Sequence, residues 1–121
     1  MLVIDDDEAI GNAVRRILSP QHDVTVTTGV KEALALIEGG ERYDVILCDV
    51  MMPELGGIDL LETLAARRPE EMDKVVLMSG GVFSPRTAGL LQGRTQPVVD
   101  KPFDAGALRK LVAKHGRAAS G

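Results

Sequence analysis

The chain has 121 residues and a formal charge of −4, from 14 basic and 18 acidic side chains, which is enough for one cored domain and too little for two. Hydrophobic residues at 45% and charged residues at 26% exclude a disordered chain, and no apolar run approaches the ~20 residues of a membrane span. A single cysteine, Cys48, excludes an intrachain disulfide, while 2% aromatics and an acidic excess argue against direct nucleic-acid binding.

Two kinds of segment alternate along the chain. Leu2-Val3-Ile4 is a short β-branched run stopped by acids and reads as a buried strand. Ile10, Ala13, Val14, Ile17 and Leu18 follow at helical spacing, with Pro20 just beyond as a stop. Val24 to Thr27 alternates at period two, a second strand, and Val30, Ala33, Leu34 and Ile37 form a second helical face closed by Gly39-Gly40. The alternation continues with a strand from Tyr43 to Cys48, then Gly56-Gly57 opening a helix through Ile58, Leu61, Leu64 and Ala65 that stops at Pro69. Lys74 to Met78 is a fourth strand. Ser84-Pro85 opens a short helix through Leu90 and Leu91, Val98-Val99 is a fifth strand, and Leu108, Leu111 and Val112 mark a last helix behind Asp104.

Five strand–helix units imply an α/β domain, a parallel five-stranded sheet with helices on both faces, because parallel strands need right-handed crossovers. The domain is expected over residues 1–115, and the small-residue stretch 116–121 reads as a flexible tail or linker remnant.

Ligands bind open parallel sheets at the carboxyl ends of the strands. Asp5, Asp6 and Asp7 follow strand 1, Asp49 ends strand 3, Ser79 follows strand 4 and Lys101 follows strand 5. Carboxylates gathered there repel by roughly 4 kcal/mol per pair at 4 Å and a surface-like dielectric. One lysine offsets little of that. A hard divalent ion is the remainder, Mg²⁺ with Mn²⁺ as a substitute, and such an ion beside a carboxylate and a lysine suits phosphoryl transfer onto Asp49.

The stretches from Leu2 to Glu8, Tyr43 to Gly57, Val75 to Gly80 and Asp100 to Asp104 resemble the receiver domain of two-component response regulators, over essentially the whole chain. That resemblance implies a flavodoxin-like three-layer sandwich of strand order 2-1-3-4-5. It implies Asp49 as phosphoacceptor, Asp6 as a direct Mg²⁺ ligand with Asp5 acting through water, and Met51 contributing its backbone carbonyl. It further implies Ser79 as the hydroxyl that turns to the phosphoryl group, Lys101 as its charge partner, and Pro102 after a cis bond. The phosphodonor would be a histidine kinase or a histidine phosphotransfer domain. One departure stands out: the position three before the lysine, usually aromatic, is Val98, so readout is expected to rest on Ser79 and the Gly80-Gly81 loop.

Each of these residues also has a blander role. An Asp pair after a strand often caps a helix, and Ser79 alone reads as a turn residue; the joint pattern favours the site. Cys48 neighbours Asp49 and reads as a small core residue facing the other side of the strand. His22 and His115 are isolated and lack ligand partners at metal spacing. Among other functions, a metal-dependent phosphatase with an aspartate nucleophile would carry an acid two residues on, where Met51 stands. A flavin or nucleotide domain would carry a glycine-rich loop after strand 1, where four acids stand.

The segments from Ser79 to Arg86 and Val98 to Phe103 look most like receivers of hybrid sensor histidine kinases, so excision from such a parent is expected, with a single-domain regulator as the alternative. The short first strand and Met1 read as an added start. The expected setting is cytoplasmic, without membrane contact by this domain, as a monomer or weak dimer.

Overall fold

A computed structural model describes residues 1–18, 23–40, 43–50, 56–80, 98–101 and 104–120. Its strands are β1 (Leu2–Ile4), β2 (Thr25–Thr27), β3 (Ile46–Asp49), β4 (Val75–Gly80) and β5 (Val98–Lys101). Its helices are α1 (Glu8–Leu18), α2 (Val30–Glu38), α3 (Gly57–Arg67) and α4 (Ala105–Ser120), with a 3-10 helix over Pro69–Lys74. The helix expected between Ser84 and Leu91 lies outside the described residues.

All pairings are parallel and the sheet order is β2-β1-β3-β4-β5. Strand alternation divides the core in two. One layer joins Leu2, Ile4, Ile46, Cys48, Val75 and Leu77 to Val30, Ala33 and Ile37 of α2 and Leu60, Leu61 and Leu64 of α3. The other joins Val3, Val45, Leu47, Val76 and Met78 to Val14 and Leu18 of α1 and Leu108 and Val112 of α4. The expected three-layer sandwich is therefore formed, and the central β3 is buried along its length. Arg109 ties the two helices of the second layer, its Nε–H donating to the Ile17 carbonyl at 3.0 Å.

Several boundaries differ from the sequence expectation. Pro69 ends α3 as expected, yet the chain does not go straight into strand; it turns through the 3-10 helix, with proline at the first position and Glu70 and Glu71 in the first turn. β3 begins at Ile46 instead of Tyr43, and β4 runs from Val75 to Gly80 instead of from Lys74 to Met78, so Ser79 and Gly80, expected beyond the strand, are held in it by pairing with Asp100 and Lys101 of β5. The stretch after residue 115, expected to be tail, continues α4 in helical backbone to Ser120, in keeping with its two alanines.

Candidate functional site

The four acids after β1 take four different positions. Asp5 is fully buried, and Asp6, Asp7 and Glu8 are exposed. The Asp5 backbone N–H donates to the Thr27 carbonyl at 3.1 Å, which extends the β1–β2 ladder by one residue. Asp7 is the acid that caps α1: the Ala9 N–H donates to Asp7 Oδ1 at 3.0 Å. The Asp7 N–H in turn donates to Asp5 Oδ1 at 2.9 Å, which holds the Asp5 carboxylate in place. Capping therefore falls to Asp7, leaving Asp5 and Asp6 for the site.

Ladder register sets Asp49 beside them. Ile4 pairs with Cys48, so the next residues, Asp5 and Asp49, end adjacent strands one step further on. Carboxylate oxygens of Asp5, Asp6 and Asp49 all lie within 4.8 Å of one another. Asp49 is only 6% exposed, so its charge is taken from water among two others. Three hard oxygen donors this close, two of them buried, fit a divalent cation such as Mg²⁺. Across the sheet Asp49 pairs with Met78, and Ser79 follows at the next position, 5% exposed. Its hydroxyl has no hydrogen-bond partner among the described residues, a buried polar group suited to a bound oxyanion.

Cys48 behaves as expected. Its side chain packs with Ile4 and Leu77 in the layer opposite to Leu47 and Met78. Burial pushes its thiol well above the ordinary thiol range, with the Asp49, Asp5 and Asp59 carboxylates adding to the shift. A thiol held protonated is no nucleophile.

With this geometry in view, comparison with known proteins decides the family. The sequence profile of the response regulator receiver domain matches residues 1–113. The chain belongs to the response regulator receiver domain family. It is 36% identical over 115 residues to response regulator MprA of Mycolicibacterium vanbaalenii, covering 94% of this chain and 47% of that protein. To response regulator MprA of Mycobacterium avium it is 35% identical, with coverage of 94% and 48%. The chain thus spans about half the length of the curated relatives it matches. Among solved structures, the receiver domain of the Francisella response regulator 1452 superposes with a TM-score of 0.78 at 31% identity, covering 97% of this chain and 95% of that one. The receiver domain of NtrX from Brucella abortus gives 0.80 at 25% identity, covering 96% and 97%.

Asp5, Asp6, Asp49 and Ser79 thus gather at the carboxyl ends of β1, β3 and β4. The Lys101 backbone ends β5, aligned with Gly80, while its side chain, like Met51 and Pro102, lies outside the described part of the molecule. Val98 stands on the edge strand and is 38% exposed. In the sequence Gly56-Gly57 reads only as a helix opening. In the fold, Gly57 lies directly against the backbone of Asp49 and Val50, and the only signal for that was a glycine pair eight residues past the acceptor.

Proposed function

We propose that this receiver accepts a phosphoryl group on Asp49, from a phosphohistidine of a kinase or phosphotransfer partner, in a Mg²⁺-dependent reaction. The observation that carries the reading is the meeting of Asp5, Asp6 and Asp49 oxygens within 4.8 Å at the ends of neighbouring strands. Asp49 supplies the nucleophilic carboxylate oxygen: its bond to phosphorus forms as the phosphorus–nitrogen bond breaks, and the electron pair leaves on the imidazole nitrogen. Asp5, held by the Asp7 N–H, and Asp6 would hold the ion beside Asp49, with the Met51 carbonyl as a further ligand. Bound there, Mg²⁺ supplies neutralising charge for the phosphoryl oxygens and offsets the carboxylate repulsion. Ser79 would donate to a phosphoryl oxygen and Lys101 would pair with another. The modified state then favours one of two conformers already accessible, which is how the signal leaves the domain.

Incubation with a small phosphodonor and Mg²⁺ tests the reading: intact-mass spectrometry should show one added phosphoryl group, absent in Asp49→Asn. Equal labelling of a folded Asn variant would rule out the acceptor.

For the parent protein, the likeness of the 79–86 and 98–103 segments to hybrid sensor kinases supports a cytoplasmic receiver within such a chain. A second reading, a response regulator with a further output segment, is favoured by the names of the curated relatives and by their roughly doubled length.

A further inference from the structure

We propose that Gly57 is a positioning residue for the acceptor, setting the Asp49 peptide by letting the first turn of α3 rest directly against it. The inference builds on the phosphoacceptor reading of Asp49.

Gly57 opens α3 and is buried. Its φ is not in the left-handed region (Gly40 is the one glycine there among the described residues), so backbone conformation does not require glycine at 57. Space does. A Cβ at this position would stand 2.7 Å from Leu77 Cδ2, 3.1 Å from the Asp49 carbonyl oxygen and 3.4 Å from Val50 Cα. The first of these is the end of a side chain and can rotate away. The Val50 Cα is at ordinary contact distance, but the Asp49 carbonyl oxygen is a backbone atom of the acceptor itself, and at 3.1 Å it yields only if the acceptor's own peptide moves.

That peptide is gripped from several sides. The Gly57 N–H donates to the Val50 carbonyl at 3.3 Å, and the Val50 N–H donates to the Met78 carbonyl at 2.9 Å. The Cys48 thiol donates to the Asp49 carbonyl at 3.5 Å. On the α3 side, the Gly56 N–H donates to Asp59 Oδ2 at 2.8 Å, which fixes the start of the helix. The helix start therefore cannot retreat freely, and strand β4 holds the opposite side. A methyl group inserted at 57 would be relieved mainly by displacing the Asp49 carbonyl by a few tenths of an ångström. The Asp49 carboxylate shares the same Cα, so it would shift against Asp5 and Asp6. Catalytic geometry tolerates such shifts poorly: a displacement of about 1 Å costs on the order of a hundredfold.

The test compares Gly57→Ala with wild type, with the core truncation Ile37→Val as a stability control at the far end of α2, and with Gly57→Ala/Leu77→Val against Leu77→Val. Each is measured for Mg²⁺ affinity by calorimetric titration and for labelling rate by a small phosphodonor. Gly57→Ala should lose about tenfold in both, Ile37→Val should match wild type, and the double variant should show the same loss relative to Leu77→Val. The double variant, free of the tightest contact, also provides the measurement if the single variant does not fold. Wild-type affinity and rate in Gly57→Ala overturn the proposal. So does recovery in the double variant, which would trace the effect to Leu77 packing, and so does an equal loss in Ile37→Val, which would trace it to stability. A wild-type chain that neither binds Mg²⁺ nor takes up the phosphoryl group would overturn the phosphoacceptor reading instead.

Discussion

Gly80 is aligned with Lys101 across the β4–β5 ladder, one step beyond the pairing of Ser79 with Asp100. The lysine is thus delivered to the same end of the sheet as Ser79, although 22 positions separate the two in sequence. Its charge would meet phosphoryl oxygens and not the ion. Lys101→Ala should therefore keep Mg²⁺ affinity near wild type while the labelling rate falls by about a hundredfold, the usual scale for removing one charge-stabilising group. Loss of Mg²⁺ affinity in parallel with the rate would show that Lys101 acts on the acids instead.

Asp6 is the exposed member of the carboxylate cluster. Asp6→Ala should weaken Mg²⁺ binding and phosphorylation together. In chelator, the same change should raise the melting temperature by a few degrees, since one carboxylate no longer repels the buried pair Asp5 and Asp49. A melting temperature no higher than the parent's would mean that solvent already screens the repulsion.

Val98 is β-branched, lies on an edge strand and pairs with Leu77. It cannot make the inward swing of an aromatic ring. Binding of a phosphoryl mimic at Asp49 should then shift the amides of Ser79 and Gly80 strongly and those of Val98 and Val99 little. A displacement at Val98 as large as that at Gly80 would refute this, as would an unmoved Ser79 side chain.

The buried Cys48 makes a prediction about alkaline pH. Its thiol titrates well above the ordinary 9.0 in the folded chain, so the folded state keeps a proton that the unfolded state releases. The stabilisation is full below about pH 9 and is lost as pH rises beyond it, by up to about 1.4 kcal/mol per unit. Denaturant unfolding across that range should show a steeper fall for the parent than for Cys48→Ala. Parallel curves would indicate a thiol that ionises freely. Thiol reagents at neutral pH should likewise modify Cys48 only after unfolding.

Much of the site was legible because strand ends are local signals. Apolar runs that give way to Asp5, Asp49 and Ser79 mark the carboxyl ends of β1, β3 and β4, and parallel topology places those ends on one edge. Which acid caps α1 was not legible. Asp5, Asp6 and Asp7 have equal capping propensity, and only the register of β1 against β2, with Asp5 bonded to Thr27, makes Asp7 the cap. The continuation of α4 past residue 115 is not legible either, because short alanine-containing ends read alike as helix or tail.

The sequence by itself determined the element types, their alternation and the chemistry available at the strand ends, since periodicity, turn residues and side-chain identity are properties of neighbours along the chain. Only the tertiary structure decided the distances: the gathering of three carboxylates within 4.8 Å, and the contact of Gly57 with the acceptor peptide. Both arise from ladder register and from the seating of a helix on its strand. Those are set by packing between residues far apart in sequence, which no local pattern encodes.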